Sequence, residues 1–367
     1  MKNWKSHLTL WSVVWLGLTQ AAIGQVDEGL RARKLQRLGA GSRGTVALDI
    51  NDRGQIVGYS RDHDFKDHAV RWNKRGKVKS LPCSESITEC TAVAINNKGD
   101  AVSATRYEVQ NFAVVWGANG ETKKLSTLPG KTVSAAYDLN DAGWVVGGAW
   151  TVSTYDYYGT LYDIRDASTP VVWKKPQHPH ALRPLPGETA IVEAEALAVN
   201  NSKTGIRQVV GYTLYDGIGT VATAWDGQGE PSRLPPLPGQ FESVALGVNA
   251  DSIAVGFSVD GNSFPESEPV AVVWGEDGHP VALSLLEGCS ASRAEDINDA
   301  GFVVGSCSNC GYREAPVPVI WDPNGEVILL PLRGKYIEGE ALAINSRGDV
   351  VGWARRAYDT KVGIVWR

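Results

Sequence analysis

Methionine is almost missing from this 367-residue chain: its one Met is the first residue. Long apolar runs are missing as well. The run Leu8 to Leu18 falls well short of the roughly 20 residues a bilayer core requires, so no membrane-spanning helix is expected. Neither sign of charge dominates, with 36 Lys+Arg against 41 Asp+Glu, a net charge of −5 and a pI near 5.8. That balance gives no support for a nucleic-acid partner. No stretch carries the 3.6-residue apolar stripe of an amphipathic helix. A nucleophile elbow, a P-loop, a Rossmann glycine motif and an HExxH zinc motif are all absent, so no cofactor and no catalytic residue is expected. What remains is 43% hydrophobic and 21% charged, a balance that excludes disordered and collagen-like chains.

The first 24 residues read as a secretory signal. Lys2 and Lys5 supply a positive start, the Leu8–Leu18 run an apolar centre, and Ala22-Ile23-Gly24 a small-residue cleavage site. The protein is therefore expected to be secreted, periplasmic or extracellular after cleavage near Gly24, and to occupy residues 25–367 as one domain. Its five cysteines would then lie where disulfides persist.

Self-similarity dominates the rest. ALDINDRGQIVGYS from Ala47 recurs as AVAINNKGDAVSA, AYDLNDAGWVVGG, ALAVNNSKTGIRQVVGY, ALGVNADSIAVGF, AEDINDAGFVVGS and ALAINSRGDVVGW. The shared Asn falls at Asn51, Asn96, Asn140, Asn200, Asn249, Asn298 and Asn345, each with Ala four positions earlier. A second signature follows each copy, a short apolar run ending in Trp72, Trp116, Trp173, Trp225, Trp274, Trp321 or Trp366. The runs are strand-length, rich in Val, Ile and aromatics, and broken by turn formers. Asn-x-x-Gly fits a tight hairpin, since Asn and Gly tolerate positive φ. Each copy thus reads as four strands, A to D, and seven copies predict an all-β, seven-bladed β-propeller. Ala suits the narrow inner end of a blade, Trp the wider gap between blades, and the strand B glycines a bulge or close approach. The chain stops one residue after the seventh Trp, leaving that copy without strand D. Residues 34–39 (Lys34 to Gly39) are expected to supply it and close the ring, which removes exposed sheet edges.

This pattern resembles the HAF-repeat family of bacterial extracellular repeat proteins. His68-Ala69-Val70-Arg71-Trp72 is similar to its name-giving segment, and A-x-x-I-N-x-x-G-x-V-V-G to its other half. Other copies depart from it, with Asn111-Phe112-Ala113, Thr169-Pro170 and Val317-Pro318 replacing His-Ala. The resemblance implies export and a propeller-like repeat, and carries no catalytic residue.

Asp49, Asp138 and Asp296 open segments similar to a calcium loop, but the fifth and twelfth positions are wrong, so turn chemistry is expected and no metal site. With A–B and C–D turns on one face, the B–C and D–A connections share the other, where function on such a scaffold is expected. Candidate ligand-binding residues there are His63, His68, Tyr107, Tyr155, Tyr157, Tyr158, Tyr215, Tyr312, Arg313, Arg355 and Tyr358; Glu188, Glu193, Glu195, Glu242, Glu295, Glu338 and Glu340 fill the D–A connections. A mixture of Tyr, Arg, His and carboxylates suits a glycan or a protein ligand. It also suits a carbohydrate-active enzyme, a polysaccharide lyase or glycoside hydrolase. The expected protein is a monomeric binding or scaffold module, with enzyme as the alternative. Cys83 and Cys90 bracket one D–A connection, and the sixth A–B hairpin brings Cys289 opposite Cys310 or Cys307. The expected bonds are Cys83–Cys90 and Cys289–Cys310 (or Cys307).

Overall fold

The computed structural model describes residues 30–83, 89–104, 112–157, 160–187, 189–202, 208–261, 268–311, 314–332, 334, 336–356 and 359–367; for 104, 154–157 and 160–164 only the backbone is described. The expected signal segment lies outside the described residues. Seven four-stranded antiparallel sheets stand in a ring, and no helix occurs among the described residues. The chain is a seven-bladed β-propeller.

Blade 1 shows the plan, with strands A to D at Gly44–Ile50, Ile56–Arg61, Asp67–Trp72 and Val78–Ser80. The innermost strands of the next six blades are Thr91–Ile95, Val133–Leu139, Ile191–Val199, Glu242–Val248, Ala291–Ile297 and Glu338–Ile344. Every one of the seven carries a register shift just after its Ala, as at Ala47/Asp49. The bulge swings a carbonyl toward strand B, which explains the glycine there. A Cβ at Gly58 would lie 2.0 Å from the Val46 carbonyl oxygen. The seven Ala are fully buried, since only a methyl fits where blades converge.

Two rings of hydrogen bonds tie the blades together. Each shared Asn is buried, and its Nδ2 donates to the backbone oxygen of the corresponding Asn in the next blade, at 2.8–3.3 Å. The circuit closes when Asn345 donates to the Asn51 oxygen. Farther out, each Trp fills the gap between blades, and its Nε1 donates backward to a carbonyl that follows the preceding blade's strand D, at 2.6–2.9 Å. A buried indole N–H needs such a partner.

Closure comes from the N-terminal segment, two residues earlier than expected. Ala32–Lys34 pairs antiparallel with Val362–Trp366, in register Ala32↔Trp366 to Lys34↔Ile364, as the fourth strand of blade 7. Leu35 follows, its N–H still donating to the Gly363 oxygen at 2.9 Å while its side chain plugs the core between blades 7 and 1, where it is 1% exposed beside Ile56, Trp72 and Val365. Residues 36–39 form the connection rather than the strand. Both disulfides are present, Cys83–Cys90 and Cys289–Cys310, and Cys307 is left as a buried thiol.

Candidate functional site

The D–A and B–C connections meet on one face, as the backbone bonds from Ala194 to Ser168, Ser292 to Pro269 and Gly339 to Pro316 show. Side chains alternate along strand A. Residues three and five before the shared Asn flank that Ala on the innermost strand of each blade. Nine of these fourteen positions hold aliphatic or small residues. Blades 3, 4, 6 and 7 place Tyr137, Glu195, Arg293, Glu295 and Glu340 there.

These residues gather into two clusters. In the first, Glu195 is 6% exposed and accepts from Arg165 Nη2 at 2.9 Å, while Tyr212 donates its hydroxyl to Glu193. Burial raises the Glu195 carboxyl above the usual range, with Glu193 adding repulsion and Arg165 and Tyr137 opposing. The Tyr137 hydroxyl is raised well above its ordinary value, by burial and then by Glu195. The Arg165 guanidinium also lies 3.9 Å from the centroid of the Trp150 ring. Arg165 ends the hairpin Val152–Tyr157 and Thr160–Arg165 inserted into blade 3, so the base of this insertion reaches the cluster. Gly148 makes the room: a Cβ there would lie 2.6 Å from Ser168 Oγ and 3.2 Å from Glu195 Oε1.

In the second cluster Arg293 Nε lies 2.6 Å from Glu295 Oε1, and its guanidinium lies 4.5 Å from the Phe257 ring centroid. Burial raises Glu295, Arg293 opposes, and Glu340 adds repulsion. Glu340 Oε2 accepts from Trp353 Nε1 at 2.8 Å, Lys361 Nζ lies 3.7 Å from the Trp353 ring centroid, and burial pushes that ammonium's pKa down.

The expected site residues are dispersed. His63 is exposed, 3.3 Å from Asp64, and His68 Nε2 is 2.8 Å from Asp62 Oδ2, both in the first B–C region. The His68 contact, helped by two backbone N–H groups, holds Asp62 down at about 2. Arg355 pairs with Glu338 at 2.8 Å, and its guanidinium lies 5.7 Å from the centroid of the Trp353 ring in the second cluster. Tyr215 is 5% exposed and donates to the Leu185 carbonyl, so it packs its loop and offers no face to a ligand. Tyr107, Tyr158, Tyr312, Arg313 and Tyr358 lie outside the described residues, and Tyr155 and Tyr157 are placed by backbone alone. The sequence reading missed Tyr137, Trp150, Tyr212, Arg293 and Trp353 because they sit on strands. The available signal was a column of the repeat: three before the shared Asn, Leu48, Val93, Leu197, Leu246 and Leu342 contrast with Tyr137 and Glu295.

The three aspartates of the expected turn chemistry act between blades. Asp49 accepts from the Ile50 and Ile95 N–H groups, Asp138 from Leu139 and Val199, and Asp296 from Ile297 and Ile344. Burial outweighs these bonds, raising Asp49 to about 6 and Asp296 to about 7. The folded protein therefore holds protons that the unfolded chain, with carboxyl pKa values near 4, has released. This stabilisation is complete below about pH 4 and is lost as pH rises through 6 and 7. Thermal melts should give a lower Tm at pH 8 than at pH 5, with the slope flattened in Asp49→Asn/Asp296→Asn. A Tm that climbs over that interval would contradict the burial of these carboxyls.

No family model matches the sequence, and comparison with curated proteins gives no match. Solved structures do match. A streptogramin B lyase superposes with a TM-score of 0.56 at 11% identity, over 92% of this chain and 97% of its own. A catalytically inactive virginiamycin B lyase from Staphylococcus aureus, with quinupristin, gives 0.54 at 14%, over 92% and 99%. A puromycin hydrolase gives 0.53 at 13%, over 86% of this chain and 51% of its own. At such identities the likeness is one of fold.

Proposed function

We propose that this protein is an exported, monomeric binding or scaffold module that takes up a glycan or a protein segment on its loop-rich face, over the channel mouth. The observation that carries the proposal is the pair of charged clusters at that mouth, where Glu195, Glu295 and Glu340 are each fixed by an Arg, Tyr or Trp partner. Fixed polar groups lose little freedom on binding, so they favour recognition. Apolar exposure points the same way. Of the eight exposed large apolar side chains among the described residues, Phe65, Val192, Ile218, Phe241, Leu285 and Ile337 lie in B–C or D–A connections or at strand ends beside them. The two disulfides fit an oxidising compartment. Membership of the HAF-repeat family is part of the same proposal.

One observation favours a carbohydrate-active enzyme as the second reading. Glu195 and Glu295 are carboxyls raised by burial, the property a general acid needs. Lyase and hydrolase propellers stand among the structural neighbours. The test is titration with acidic and neutral polysaccharides and with a peptide library, assaying reducing ends and unsaturated products in parallel. Binding without turnover, weakened about tenfold or more in Glu195→Gln, supports the module. Turnover lost in Glu195→Gln supports the enzyme. Affinity unaffected by that substitution removes the mouth as the site.

A further inference from the structure

A second surface lies on the outer rim, where the closing strand meets the C–D turn of blade 1. The segments Arg31–Arg37 and Arg71–Lys79 carry nine of the chain's 36 Lys+Arg and no carboxylate. The fold presses them together. Gln36 N donates to the Gly76 oxygen at 3.4 Å, Trp72 Nε1 to the Gln36 oxygen at 2.6 Å, and Arg33 Nη2 to the Arg75 oxygen at 2.6 Å. Between them opens a cleft of about 700 Å³ lined by Arg33, Lys34, Arg37, Arg75 and Lys77. No carboxylate lines it, and none of these five cations forms an ion pair among the described residues. Arg37 Nε is buried without a hydrogen-bond partner.

The same rim position has the opposite charge elsewhere. The C–D turns of blades 4, 5 and 6 carry Asp226 and Glu230, Glu276 and Asp277, and Asp322 and Glu326. A protein with a net charge of −5 thus concentrates uncompensated cations at one joint. Leaving so many like charges together costs stability through self-repulsion, which a polyanion would relieve.

We propose that this cleft binds a linear acidic polysaccharide, one carrying uronate or phosphate groups at regular intervals. The cations are strung along two adjoining chain segments, which suits a polymer of repeated charge better than one compact anion. Arg supplies the bidentate geometry that carboxylate and phosphate groups accept. The site is separate from the channel mouth, because C–D turns lie on the face opposite the loops.

The test measures binding of labelled polygalacturonate, neutral dextran and phosphatidylglycerol vesicles to the full protein. Polygalacturonate should bind and dextran should not, with affinity falling about tenfold or more between low and high salt. Arg33→Glu/Arg75→Glu/Lys77→Glu should abolish binding without lowering Tm by more than a few degrees. Reversal of Lys123 and Lys175, exposed at the joint of blades 2 and 3, should leave affinity within about twofold. Failure of the wild-type protein to bind polygalacturonate, equal losses in the two variants, or binding to the vesicles alone would each overturn the proposal.

Discussion

A chain lacking residues 30–38 should lose its cooperative unfolding transition and associate through the strand Val362–Trp366. That strand would be left with a bare edge, and unpaired edges recruit other chains. The loss extends beyond the ladder: Leu35 leaves a hole in the core, and the Trp72 indole loses the Gln36 oxygen. Leu35→Ala isolates the packing part and should cost about 3 kcal/mol in urea unfolding, as large-to-small core changes do. Size-exclusion chromatography of the shortened chain gives the complementary readout. A monomer with an unchanged unfolding midpoint would mean that the N-terminal strand is an ornament and that six and three-quarter blades suffice.

Asn298→Ala should be the most damaging single-residue change in a turn, at about 3 kcal/mol. It strands the Asn345 oxygen, which accepted from Nδ2, and the Ala300 and Phe302 N–H groups, which donated to Oδ1. Phe302 and Asn345 are buried, where water does not replace the partners. Asn73→Ala is the control, because that side chain makes the same two contacts to Arg75 and Lys77 within its turn, but it is exposed and reaches no other blade. It should cost under about 1 kcal/mol. Similar losses for the two variants, measured as shifts in urea midpoint, would show that turn chemistry alone explains the repeated Asn and that the inter-blade ring contributes little.

The contrast between those two asparagines also shows how far the sequence could be read. Periodicity exposed the seven blades, the Trp anchors and a missing strand at the end, since each is a pattern along the chain. The donor role of Asn51 or Asn298 is not such a pattern. Its partner lies 45 or 47 residues away and is a backbone oxygen, which has no letter of its own. The closing strand starts two residues before the expected segment, whose Leu38-Gly39 ending marks the connection to blade 1 rather than the ladder. The two charged clusters were legible only in part, for a different reason. Attention to the connections picked out Glu195, Glu295 and Glu340, which the fold places at the inner strands, but strands were treated as packing, and Tyr137, Arg293 and Trp353 lie on strands. Tyr215 was the converse case, a loop tyrosine that the fold consumes internally.

The seam between blades 7 and 1 sets the order of assembly. Gly363 N–H bonds the Thr45 hydroxyl across 318 residues of sequence, and Ala32 pairs with Trp366. The earliest-made portion of the sheet array must wait for the last-made portion before either is sealed. Until the strand Val362–Trp366 has been made, the array is an open fan with two unpaired borders.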